Sequence, residues 1–285
     1  MIEDCIEEFL TGFDESRFPQ DFLETYELME CLADNTISET LIVKDRQSGV
    51  HYVAKCYSDK SLLSRTSESE LLKKLDHPGL PAFIAEYENE KMHCVVRTFA
   101  RGKSLDKLIR ETPLTSQQAI TVATQLCDIL TYLHGQTPPI IHRDIKPQNI
   151  IVGDFGKITL IDFGSSRIFD ETSEGDTCCV GTRYFAAPEQ YGFAQTDRRT
   201  DIYSLGVLIY WMLTGKVDVQ QAKKTVENRL LQKTIAKCTA FEPDHRYQNA
   251  AQVKDALTGR TARRRTLLLA GAALVILIAS FHLII

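Results

Sequence analysis

The 285-residue chain is 25% charged and 44% apolar, the proportions of an ordinary globular protein with room for a two-part core. A formal net charge of −5 gives no basis for nucleic-acid binding. The eight cysteines form no C-x-x-C pair and have no histidines at zinc spacing, which argues against a structural zinc site and for reduced thiols in a cytosolic compartment.

Taken in chain order, the residues from Glu3 to Glu30 carry many carboxylates opposed almost only by Arg17, so 1–25 reads as an acidic, solvated N-terminal extension. Met1 to Leu10 lacks the basic start of a signal peptide. β-Rich runs follow at Thr40–Val43 and His51–Ala54, joined by a turn at Gln47-Ser48-Gly49. A helix is expected over Leu62–Leu75, with Leu71, Leu72 and Leu75 at helical spacing and a stop at His77-Pro78-Gly79. Cys94-Val95-Val96 reads as a short buried strand, and Gly102 to Leu105 as a connector into helical sequence. Ser116–His134 presents Ile120, Ala123, Leu126, Cys127, Leu130 and Leu133 on one face. Asp201–Leu213 is apolar nearly all round, the pattern of a helix buried within a lobe. Strand-rich sequence followed by helical sequence predicts an α+β architecture.

The last stretch, Leu267 to Ile285, has no formal charge apart from the titratable His282. As a helix it would reach about 28 Å, close to the hydrocarbon thickness of a bilayer. Arg260, Arg263, Arg264 and Arg265 precede it and predict a cytoplasmic position for the rest of the chain. The expectation is a single-pass cell-membrane anchor with no sensor domain beyond it.

Three motifs carry the chemistry. His142-Arg143-Asp144-Ile145-Lys146-Pro147-Gln148-Asn149 has the H-R-D-x-x-x-x-N form, Asp162-Phe163-Gly164 is a D-F-G turn, and Ala187-Pro188-Glu189 closes the segment between them and the later helices. Any one is weak evidence. All three, in order, are not coincidence.

On these motifs the region from about Tyr26 to Leu257 resembles the eukaryotic-like Ser/Thr protein kinases, especially bacterial membrane-attached ones. The resemblance implies a two-lobed kinase domain over 26–258, with an N-lobe over about 26–98 and a C-lobe over about 103–258. A basic linker at 259–266 and a transmembrane helix at 267–285 would follow. It implies ATP and Mg²⁺ as cofactors, with Mn²⁺ able to use the same ligands, and Ser/Thr-bearing proteins as substrates. A dimer for autophosphorylation fits the same picture. Asp144 takes the place of the catalytic base, and Asn149 and Asp162 those of the metal ligands. Lys146 matches the lysine that contacts the γ-phosphate and the substrate oxygen, a Ser/Thr-kinase pattern. Lys55, in Tyr52-Val53-Ala54-Lys55, matches the strand lysine that holds the α- and β-phosphates. Its partner is Glu68, with Glu70 as the runner-up. Arg143, before the base, implies control by phosphorylation at Thr172, Ser173 or Thr177, which the sequence does not rank. Thr182 matches the residue lining the acceptor pocket. Glu189 and Arg246 match a buried structural pair, and Asp201 the residue that anchors the catalytic-loop backbone.

Two places depart from the family pattern. The three glycine positions of the phosphate-covering loop hold Ala33, Asn35 and Ser38, which reduces close backbone approach to phosphate. Arg97 stands where an apolar residue guards the back of the adenine pocket, and its direction is open. The backbone of Thr98 to Ala100 would still offer hydrogen bonds to adenine. The glycine-free loop motivates a rival reading, a membrane-tethered pseudokinase or scaffold with weak nucleotide binding. Small-molecule phosphotransferases share the core but are disfavoured by the Gly181–Glu189 acceptor platform.

Overall fold

The computed structural model describes residues 14–34, 38–58, 68–109, 112–168, 184–192 and 195–260. The chain divides into two compact units. One holds the described residues up to 105 together with 149–167, and the other holds 106–148 and those from 168 onward. The first unit therefore takes in a stretch that lies well past the 26–98 span expected for the N-lobe.

The first unit is built on an antiparallel sheet. Its strands are β1 (Tyr26–Asp34), β2 (Ser38–Asp45), β3 (His51–Tyr57), β4 (Phe83–Glu88) and β5 (His93–Thr98), in the order β1-β2-β3-β5-β4. Alternation along β2 buries Leu41 and Val43, and the opposed strands add Ala54, Cys56, Cys94 and Val96 to the same apolar cluster. The β2–β3 turn forms because the Asp45 carboxylate accepts from the backbone N–H groups of Gln47 and Ser48, while Gly49 takes the left-handed conformation that closes it.

The acidic leader is not wholly solvated. Helix α1 (Gln20–Thr25) and the residues before it place Phe18 and Phe22 in the sheet's apolar cluster, with Phe22 against the rings of Tyr26 and Tyr87. Arg17 makes a two-pronged ion pair with Glu39 on β2. Charge density hid these contacts, because two phenylalanines among carboxylates were enough to dock the segment. Helix α2 (Glu68–Lys74) buries Leu71 and Leu72 against the unit. A small antiparallel sheet of β6 (Lys103–Ser104), β7 (Ile150–Val152) and β8 (Ile158–Leu160) completes it.

The second unit is helical. Its helices include α3 (Ser116–His134), α4 (Arg198–Thr214), α5 (Ala222–Thr225), α6 (Arg229–Cys238) and α7 (Ala250–Leu257). Polar side chains start four of them: Thr115 with Gln118 in a capping box on α3, then Asp197, Asn228 and Asn249. The buried face of α3 also includes Ala119, Val122 and Ile129, and leaves Ile120 only half-buried. Helix α4 is buried on nearly all sides, from Ile202 through Met212.

Among the described residues no single helix is long and apolar enough to cross a membrane. The apolar stretch Leu267–Ile285 lies outside them, as do Asn35, Thr172, Ser173, Thr177 and Thr182.

Candidate functional site

In the first unit, three elements bring charge to one place. Strand β3 carries Lys55, helix α2 carries Glu68, and the turn after β8 carries Asp162. Lys55 Nζ lies 2.7 Å from Asp162 Oδ1 and 3.1 Å from Glu68 Oε2. Glu70 instead points outward, 3.0 Å from Lys73. Helix positions two apart face different ways, so only one of the two glutamates reaches the cluster.

Exposure is graded along the cluster. The side chain of Glu68 is 1% exposed, that of Lys55 12% and that of Asp162 35%. Glu68 is thus an anchor and Asp162 the group that faces outward. Burial pushes both carboxyls up, but the Lys55 charge, with Arg97 behind it, outweighs burial and leaves both below the usual carboxylate range. Burial likewise works to lower the Lys55 ammonium, and Glu68 and Asp162 reverse this to a net upward shift. All three groups stay ionised at neutral pH.

Arg97, whose direction the sequence left open, lies buried on β5 and donates from Nη1 to Glu68 Oε1 at 2.9 Å. Tyr57, which sequence reading passed over, donates its hydroxyl to Glu68 Oε2 at 2.6 Å. Thr98 gives its backbone N–H to Ala82 O, so that donor is already committed and not open to an adenine ring. Ala100 lies half-buried two residues beyond. Ala33 stands near the end of β1, paired with Thr40, and Ser38 opens β2 opposite Tyr57.

The triplet Asp-Phe-Gly occurs twice, and the fold separates the copies. Asp154-Phe155-Gly156 is a tight turn between β7 and β8 whose Phe155 ring is fully exposed. In the second copy Phe163 is buried, Asp162 adopts φ 71°, and the Gly164 N–H donates to Asp162 Oδ1 at 3.2 Å. A Cβ on Gly164 would sit 3.1 Å from Lys55 Nζ and 3.3 Å from Asp162 Oδ1, so glycine keeps open the space around both charges. Asn149, also buried in this unit, accepts the Ile161 N–H on its backbone carbonyl at 2.8 Å, which leaves its side-chain amide out of that bond.

This donor set suits a hard divalent cation. Among the described residues no group of three or more His, Cys, Asp or Glu side chains could hold a metal alone. An ionised, outward-facing aspartate and an amide oxygen are what Mg²⁺ takes when phosphate oxygens and water fill its remaining positions.

In the second unit, the loop from His142 to Lys146 is held by its backbone. The Asp201 carboxylate, fully buried on α4, accepts the His142 N–H at 2.9 Å and the Arg143 N–H at 2.8 Å. His134, at the end of α3, lies 2.8 Å from the same carboxylate. Burial raises the Asp201 carboxyl, but the bond to His134 and the loop amides bring it below its ordinary value. Arg143 adopts φ 64°, a strained conformation for a non-glycine residue at about 1–3 kcal/mol. It is fixed from both sides, because its carbonyl also accepts from Gln190 Nε2 at 2.8 Å. Next to it Asp144, 7% exposed, faces Lys146 Nζ at 2.6 Å.

Arg246 closes the unit. Its guanidinium binds Glu189 with both prongs at 2.7 and 2.9 Å. His134 and Gln190 escaped sequence reading. A basic residue in a helix's last turn was the only signal for the first, and the second had none beyond its place after Glu189.

The protein kinase domain family model matches residues 26–266. Serine/threonine-protein kinase D of Synechocystis sp. is 30% identical over 82% of this chain and 52% of its own length. A probable serine/threonine-protein kinase of Clostridium acetobutylicum is 30% identical over 82% of this chain and 37% of its own. Serine/threonine-protein kinase TIO of Arabidopsis thaliana is 31% identical over 68% of this chain and 15% of its own. The chain thus spans about half or less of the curated relatives it matches. With a family match over most of its length, the chain belongs to the protein kinase family.

Proposed function

We propose that this chain is a Ser/Thr protein kinase that transfers the γ-phosphoryl group of ATP to protein hydroxyls at the cytoplasmic face of a membrane. The observation that carries the reading is the Lys55–Glu68–Asp162 cluster, charged, graded in exposure and kept open at Gly164. Lys55 would hold the α- and β-phosphates, and Asp162 and Asn149 would hold Mg²⁺, or Mn²⁺ in its place. The metal, when bound, neutralises charge on the β- and γ-phosphates. Asp144 accepts the proton of the acceptor hydroxyl and aims its oxygen at phosphorus. The new O–P bond forms as the bond to ADP breaks. Lys146, beside Asp144, offsets negative charge on the transferred group and marks a Ser/Thr acceptor. The fixed backbone of Arg143 keeps Asp144 aimed.

The acceptor platform at Thr182 and the regulatory positions Thr172, Ser173 and Thr177 belong to this proposal, with Arg143 as the partner for an added phosphate. So does transfer between two copies of the chain. So does the anchor, in which Leu267–Ile285 spans the bilayer and the arginines from Arg260 face the cytoplasm. Only the missing glycines at Ala33, Asn35 and Ser38 support a pseudokinase, and neither the base nor a metal ligand is lost with them.

Incubation with Mg²⁺, γ-labelled ATP and a generic basic protein tests the reading. Label on serine and threonine, absent from Asp162→Asn, supports it. No transfer by folded, phosphate-free protein moves the account to the pseudokinase. Deleting Leu267–Ile285 should release the chain from membranes, and a truncated chain that stays bound removes the anchor.

A further inference from the structure

The buried end of the Lys55 cluster holds more donors than one ion pair needs. The two oxygens of Glu68 take three: Tyr57 Oη at 2.6 Å, Arg97 Nη1 at 2.9 Å and Lys55 Nζ at 3.1 Å. Lys55 is the most distant of the three, and its own shorter contact is to Asp162. Arg97 is 5% exposed and comes from β5, so it approaches Glu68 from a strand other than the one that carries Lys55 and Tyr57.

We propose that Arg97 and Tyr57 are positioning residues that anchor Glu68, and with it helix α2, independently of Lys55, leaving the lysine to serve the nucleotide. The anchoring stands on the geometry alone. Its benefit to the nucleotide rests on the kinase reading above. A buried carboxylate with a single counter-charge loses it whenever that cation turns to a phosphate, and an unpaired buried charge is strongly unfavourable. With Arg97 in place, Glu68 keeps one full positive charge and one hydroxyl donor while Lys55 is engaged elsewhere. Helix α2 therefore stays docked with or without nucleotide. Without Arg97, Glu68 would compete with the phosphates for Lys55.

The test is hydrogen exchange in peptides covering 68–75 of the full chain, without nucleotide. Lys55→Met should exchange within twofold of wild type. Arg97→Met should exchange at least fivefold faster, and Arg97→Lys should recover most of that protection. Tyr57→Phe removes only the hydroxyl and should give a smaller acceleration. It decides the question against Lys55→Met even if Arg97→Met does not fold. Loosening by Lys55→Met equal to that by Arg97→Met, or none by Arg97→Met and Tyr57→Phe, overturns the anchoring. In steady-state assays, Arg97→Met should raise KM for ATP at least threefold with a smaller change in kcat. An unchanged KM overturns the benefit to Lys55, since a merely structural residue would move kcat and yield alone. A wild-type chain that transfers no phosphate removes the kinase reading and leaves the exchange result standing.

Discussion

Replacing Arg246 by Met should be among the most destabilising single changes in the helical unit. Arginine has five N–H donors, and here each has an acceptor: Ala240 O at 2.8 Å, Arg199 O at 3.0 Å, Phe241 O at 2.7 Å and the two Glu189 oxygens at 2.7 and 2.9 Å. The side chain is wholly buried and stacks over the Tyr203 ring at 5.0 Å. Met keeps much of the volume but strands the Glu189 charge, whose remaining side-chain donor is the Thr200 hydroxyl at 2.8 Å. Breaking one side of a buried pair costs about 3–5 kcal/mol. At a urea dependence of about 2 kcal/mol per molar, the midpoint falls by about 2 M. Trp211, the chain's single tryptophan, lies on α4 with its ring against Phe185, so its fluorescence reports this unit. The double variant Arg246→Met with Glu189→Leu should recover more than half of the loss, because it removes the stranded charge. A midpoint shift under about 0.5 M for the single variant, or no recovery in the double, refutes the reasoning.

Two further outcomes follow from packing and charge. Gly206→Ala should destabilise the unit by about 1–3 kcal/mol in the same urea assay, although alanine favours helix. Its Cβ would lie 2.5 Å from the Cys238 Cβ and 2.8 Å from the Thr239 methyl, where α4 meets α6, and a neutral or stabilising result contradicts that packing. The carboxyl of Asp201, in the same unit as Trp211, is held below its unfolded value near 4, so it contributes stability that is complete above about pH 5 and lost as pH falls through the folded value. The Trp211 midpoint should therefore drop from pH 6 to pH 3, and more shallowly in Asp201→Asn. An equal drop in both proteins places the acid sensitivity elsewhere.

Sequence was most informative where chemistry dictates residue type. The motifs around Asp144, Asp162 and Glu189 stand out because the proposed base, the proposed metal ligand and the buried pair each need a particular group. The span of α3 could be read from its apolar face, which ends at Leu133. Side-chain partners drawn from distant strands and helices could not be read. Arg97 looked misplaced because a strand pattern gives its face and not the carboxylate it meets from α2. Gln190 binds the Arg143 carbonyl across 47 positions of chain, a distance at which local pattern carries no information. Phe18 and Phe22 were masked by their acidic neighbours.

The most direct test of the account pairs two readings on Asp144→Asn, ATP affinity by calorimetry and phosphoryl transfer under single-turnover conditions. A base that acts only on the acceptor hydroxyl predicts affinity within about twofold of wild type and transfer slower by about 10²–10⁴. Transfer at the wild-type rate in this variant would contradict it.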